Sequence, residues 1–169
     1  MLRDIVRQVS NGIKDLKFKG INVGVVDERG EIASLYKGVP QNEIGSKTDV
    51  IENVSKNIGM RMLIRAMAPK VIVADEIGNF EDVEAINYAM CSGCKGIFTA
   101  HGMDLDDIYI NSVLKSLINS HIFETIIFLD VNNKGETKEV YILNKKITQY
   151  EIYSEKEKIN NNTENNIIF

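Results

Sequence analysis

The stretch from Val71 to Ala100 constrains the fold more than any other part of this chain. It opens on an apolar run, VIVA, that stops abruptly at the acidic pair Asp75–Glu76. Phe80 to Met90 then brings Val83, Ile86 and Met90 onto one face with alanines beside them, which is helical spacing. GIFTA, Gly96 to Ala100, reads as a second strand. Strand, helix and strand in a span this short form a βαβ unit near its minimum length. Such a unit joins two parallel strands, and parallel strands are buried on both faces.

The flanking sequence repeats the alternation. Met1 to Ser10 has Leu2, Ile5, Val6 and Val9 at helical spacing, and Ile21 to Val26 (INVGVV) reads as a buried strand. Glu31 to Tyr36 is expected to continue as an edge strand, and Gly38 to Asp49, rich in Gly, Pro, Asn and Ser, as a loop. Ser55 to Met67 reads as a helix with Ile58, Met62, Leu63, Ala66 and Met67 on one side, ended by Pro69. Asp104 to Asn119 is expected as one helix with an acidic first turn, followed by strands at Glu124–Val131, Glu139–Asn144 and Thr148–Tyr153. The expected fold is α/β: a mostly parallel sheet with helices on both faces and an antiparallel extension at the end. Residues 1–153 are expected to form the domain, and the Asn-rich stretch 154–169 a disordered tail.

Composition narrows the function. The chain has 169 residues, 44% apolar and 26% charged, with a net charge of -4. No basic block stands out, so no nucleic-acid partner is expected. No apolar run approaches the ~20 residues of a membrane span. MLRDIVRQVS lacks the features of a secretory signal, so a cytoplasmic protein is expected. Cys91 and Cys94 are spaced C-x-x-C without the further ligands of a zinc site, and they follow a helix rather than opening one. Two reduced thiols in a connection fit better than a redox dithiol.

The chemistry sits at the strand ends. An apolar strand followed by Asp-Glu is the Walker B pattern, which fixes two carboxylates at the carboxyl edge of a parallel sheet. There Asp75 suits the water shell of Mg²⁺ and Glu76 suits polarising a water aimed at a terminal phosphate. A solvated strand end is the alternative. GIFTA runs into Thr99, Ala100 and His101, so Thr99 and His101 lie beside the acidic pair if the two strands are neighbours. VDERGEI puts Asp27, Glu28, Arg29 and Glu31 at another strand end, where charge more often means solvent. Arg61 and Arg65 share a helix face and could meet phosphate from this subunit or a neighbour, although a solvated face is the simpler account. Gly45–Ser46–Lys47–Thr48 is not a phosphate loop, because G-x-x-x-x-G-K-[ST] needs Lys directly after Gly. No Walker A sequence occurs in these residues.

VDERGEI, GVPQNEIGSKTDVI, GMRMLIRAMAPKVIVADEIG and the TAHG box, in this order, resemble the stage III sporulation protein AA family, from about Met1 to Leu143. These are RecA-like ATPases of endospore-forming bacteria, related to secretion ATPases. The resemblance implies ATP and Mg²⁺ as cofactors and a RecA-like core here missing its first strand and P-loop. It also implies a homo-oligomeric, hexameric ring working with membrane channel proteins of the sporulation apparatus, peripheral at the forespore membrane on the mother-cell side. It makes Asp75 and Glu76 the Walker B pair, with Asp75 toward the metal, and Thr99 and His101 the His box. Asp27 and Glu28, with Arg29 beside them, become the acidic segment near the nucleotide, and Arg61 and Arg65 the arginines near phosphate or a subunit interface. Family members carry Walker A just before a stretch like Leu2–Arg3–Asp4, so this sequence is expected to be a truncation beginning inside the P-loop helix. On its own it is then expected to show little ATPase activity, or to serve as a non-catalytic oligomerisation or regulatory remnant.

Overall fold

The computed structural model describes residues 1–133 and 136–153. The expectation of a disordered tail at 154–169 lies outside the described residues. The chain divides into two compact units, Met1–His101 and Gly102–Phe169.

The first unit is built on a four-stranded parallel sheet. Its strands are β3 (Val23–Asp27), β6 (Thr48–Glu52), β7 (Val71–Ala74) and β8 (Lys95–Phe98), in the order β6-β3-β7-β8. β3 is central, paired Val25↔Val50 on one side and Val25↔Val73 on the other, and all of its residues are buried. β7 pairs with β8 through Val73↔Ile97. All four carboxyl ends therefore lie along one edge of the sheet. Helix α1 (Leu2–Asn11) packs Val6 and Val9 into a core with Val23, Val25, Val71 and Val73. Two short hairpins decorate the unit: β1 (Gly12–Ile13) with β2 (Phe18–Lys19), and β4 (Leu35–Tyr36) with β5 (Val39–Pro40).

Helices α2 (Lys56–Met67) and α3 (Phe80–Cys91) pack against each other. α2 ends on Ala68 in the left-handed region (φ 44°), just before Pro69. α3 begins with a capping box, in which Asn79 Oδ1 accepts the Asp82 N–H at 2.8 Å and Asp82 returns a bond to the Asn79 N–H. The buried face of α2 differs from the expected one. Gly59, Met60 and Leu63 are buried, whereas Ile58, Met62 and Met67 are exposed. Gly59 explains the rotation, because a Cβ there would stand 2.6 Å from Val26 Cγ1 of the central strand. Without a side chain, the helix backbone settles directly on β3. Gly59→Ala is accordingly expected to lower stability by about 1 kcal/mol in urea unfolding, since overpacking against a rigid β-branched residue outweighs the gain in helix propensity.

Two other expectations are corrected. Residues 31–34 do not continue β3 as an edge strand; they wrap back onto Asp27, and only Leu35–Tyr36 is extended, in a hairpin. The span expected as a loop from Gly38 to Asp49 contains β5 and the start of β6, the outer strand of the main sheet. β6 is only half-buried, so its TDVIE sequence carries no continuous apolar run.

In the second unit the expected helix over 104–119 is two helices, α4 (Leu105–Ile110) and α5 (Ser112–Asn119). The break is Asn111, which leaves helical geometry and accepts the N–H groups of Val113 and Leu114 on its side-chain oxygen. β9 (Thr125–Leu129), β10 (Thr137–Asn144) and β11 (Gln149–Ile152) are the antiparallel strands expected from sequence, but they form a sheet of their own in the order β11-β10-β9 and, among the described residues, do not pair with the parallel sheet as an extension of it.

Candidate functional site at the carboxyl edge of the sheet

Glu76 is the point on which neighbouring strand ends converge. It follows β7 with φ at +30°, a region a non-glycine residue rarely occupies. Two bonds from the end of β8 hold it there: the Thr99 hydroxyl oxygen accepts the Glu76 N–H at 2.7 Å, and the Thr99 carbonyl accepts the Ile77 N–H at 2.7 Å. Its carboxylate is gripped from both sides, with Arg29 Nη1 at 3.1 Å from Oε2 and His101 Nε2 at 3.3 Å from Oε1. His101 itself is 90% exposed, free to face a ligand. Strain held in place by well-made hydrogen bonds is a mark of functional sites.

Asp75 differs from its neighbour. Its Oδ1 is buried and, among the described residues, has no hydrogen-bond partner. Burial pushes its carboxyl above the usual carboxylate range, opposed by the charge of Lys56, with Asp27 and Glu31 adding to the rise and Arg29 opposing it. A buried, unpaired carboxylate oxygen is costly unless a ligand completes it. Among the described residues no group of three or more His, Cys, Asp or Glu forms a metal cage. The Asp75 carboxylate on its own suits Mg²⁺, which keeps its waters and shares its shell with phosphates, and falls short of the four protein ligands of a structural zinc site.

The acidic loop after β3 is arranged in two layers. Asp27 is fully buried, and its carboxylate accepts N–H groups from Glu31 (2.8 Å), Ile32 (3.1 Å) and Ala33 (2.7 Å). Its oxygens face its own loop and scaffold it. Arg3 of α1 secures the same loop from outside, donating to the carbonyls of Ile32 and Glu31. Glu28 turns instead toward Lys56, with which it makes a close ion pair, and Arg29 reaches Glu76.

Arg61 and Arg65 are not gathered with these groups. Arg61 is exposed and lies over the Tyr88 ring of α3 at 4.8 Å from its centroid. Arg65 stands nine positions beyond Lys56 on α2, roughly 13 Å along the axis from the site end. Cys94 is buried and donates to the Pro69 carbonyl, whereas Cys91 is exposed, and both thiols are free. Lys56 and Arg3 were missed by sequence reasoning. A lysine in the first turn of a helix, against the dipole, was the available signal for Lys56.

The family described as Sporulation stage III, protein AA matches residues 1–148 of this chain. This chain belongs to that family. Stage III sporulation protein AA of Bacillus subtilis (strain 168) is 35% identical over 142 residues, covering 83% of this chain. The chain spans 46% of that relative's length. Among solved structures, the ATPase DotB of Legionella pneumophila matches with a TM-score of 0.57 at 13% identity, over 85% of this chain and 42% of that one. At that identity the likeness concerns the fold, and it bears out the RecA-like α/β expectation. Among the described residues no helix is long and apolar enough to cross a membrane.

Proposed function

We propose that this chain carries the water-activating half of an ATP site in an ATPase that powers a sporulation-specific channel. The reading rests chiefly on one observation: a buried, unpartnered Asp75 oxygen stands next to a Glu76 held at positive φ by Thr99 and flanked by Arg29 and His101. Asp75 would hold the water shell of the metal, and Glu76 would orient and deprotonate the attacking water. Thr99 fixes the Glu76 backbone, so the base cannot drift. His101 and Arg29 supply donors that can pass from the Glu76 carboxylate to a phosphate oxygen. Bound Mg²⁺–ATP would supply the reacting phosphoryl group and the charge that neutralises it. In a hexameric ring of such chains, the exposed Arg61 and Arg65 of α2 would be available to a phosphate held by a neighbouring subunit. Such a ring would work on the cytoplasmic side, against membrane channel proteins at the forespore membrane.

A second reading has its own support. These residues contain no Gly-rich loop to cradle the β-phosphate, and no Walker Lys or Ser/Thr. A non-catalytic module for oligomerisation or regulation would need none of them. The two readings separate on Mg²⁺–ATP titrated into the Glu76→Gln form of the chain, which blocks turnover. Weak but saturable, Mg²⁺-dependent uptake is the expected result, with turnover by the unsubstituted chain close to none. No uptake at millimolar nucleotide would hand the chain to the second reading.

A further inference from the structure

Lys56 is a buried cation at this edge to which neither the family resemblance nor the ATP-site reading gives a role. It is only 6% exposed, it occupies the first turn of α2, and its ammonium pairs with Glu28. Both settings are unfavourable for a cation. Burial strips its hydration, and the positive end of the helix dipole repels it. A side chain kept there against both effects needs a counter-role, and its neighbours supply one. Glu28 ends the loop side of β3, and Asp75, on which the Lys56 charge also acts, ends β7. Lys56 thus ties the loop at the end of β3 through its ion pair with Glu28, and its charge is felt at Asp75 at the end of β7 without pairing with it. The rest of the loop is tied elsewhere: Asp27 to its own backbone, Ser34 to the Gly30 carbonyl, and Leu35 to Glu52.

We infer that Lys56 is a positioning residue: through Glu28 it holds the acidic loop, and with it Arg29, against the Asp75–Glu76 edge. The inference about the loop stands on geometry; its consequence for ligand binding rests on the ATP-site reading above. Lys56→Met leaves Glu28 unpaired and is prone to unfold, so the Lys56→Met/Glu28→Gln double variant, which removes both charges together, accompanies it, with Lys56→Arg as the conservative exchange. Thermal melting identifies the folded variants.

Two readouts are taken on the full chain. The first is tryptic nicking after Arg29, whose side chain is 55% exposed in the loop. The second is Mn²⁺ uptake with ATP, followed by the Mn²⁺ paramagnetic signal. The double variant is expected to be nicked about fivefold faster than the parent and Lys56→Arg at the parental rate. Mn²⁺–ATP affinity is expected to fall about tenfold in the double variant and to be retained in Lys56→Arg. A folded double variant nicked at the parental rate overturns the inference. Faster nicking with unchanged Mn²⁺–ATP affinity upholds the tie on the loop and overturns its consequence for ligand binding. If the parent takes up no Mn²⁺–ATP while the double variant is nicked faster, the positioning of the loop holds and the ATP-site reading fails.

Discussion

Asp27→Ala should destabilise the first unit by about 4 kcal/mol, the largest stability effect expected of any single change at this edge. The carboxylate is fully buried and accepts the N–H groups of Glu31, Ile32 and Ala33, and Ile32 and Ala33 are themselves buried. Alanine leaves the buried Ile32 and Ala33 donors with no acceptor and no water, while the exposed Glu31 N–H turns to solvent. Each hydrogen bond to a charged acceptor contributes about 1.5–3 kcal/mol, and each stranded buried donor adds a penalty of similar size. Asp27→Asn should fall between, because its one remaining acceptor oxygen cannot serve all three donors and its amide would meet them donor to donor. Urea unfolding followed by far-ultraviolet circular dichroism reads the difference as a lowered midpoint at unchanged slope. An Asp27→Ala protein that unfolds at the parental midpoint yet loses Mg²⁺–ATP would show that this carboxylate serves the nucleotide and not the loop.

That result bears on how far the site was legible in sequence. The Val71–Ala100 unit could be read because β7 is buried on both faces, so its apolar run and acidic stop coincide with the structure, and the half-buried β8 follows one helix later at βαβ spacing. β6 could not, because an edge strand with one half-covered face carries mixed polarity, TDVIE, and is preceded by turn residues. The pairing of Glu76 with Thr99 and His101 follows from β7 and β8 being neighbours, and the βαβ length implied it. The roles of Asp27, Glu28 and Arg29 did not follow. They are consecutive and chemically alike in sequence, yet one turns into its own loop, one toward α2 and one toward β7. Those directions depend on Lys56 and on the wrapping of residues 31–34, contacts no local pattern encodes. Helix α2 misled for a related reason: Ile58 and Met62 satisfy helical periodicity, but Gly59 wins the buried face because close approach to Val26 matters more than side-chain apolarity.

Asp75→Asn should separate function from stability at the same atom. Mg²⁺-dependent nucleotide uptake is expected to fall at least about tenfold, as an anionic ligand is replaced by a neutral amide that a hard cation binds poorly. Thermal stability at neutral pH should move the other way, rising by about 1–2 °C, as expected when a half-buried carboxylate with one unpartnered oxygen becomes neutral at a functional site. The sign follows from linkage. Burial raises the folded-state value of the Asp75 carboxyl above its unfolded value, so the folded state takes up a proton more readily than the unfolded state. The ionised group therefore works against folding at pH above the folded value. As pH falls through that value toward the ordinary carboxylate range near ~4, the carboxyl protonates in the fold and the penalty disappears. The stability advantage of Asp75→Asn should accordingly be full at pH 7 and shrink toward zero at about pH 4, a profile that melting curves at a series of pH values trace directly. An advantage that persists unchanged at low pH would point to altered packing and not to charge. Loss of nucleotide uptake together with a lowered melting temperature at pH 7 would make Asp75 a structural residue, and the strain at Glu76 would then have no ligand to explain it.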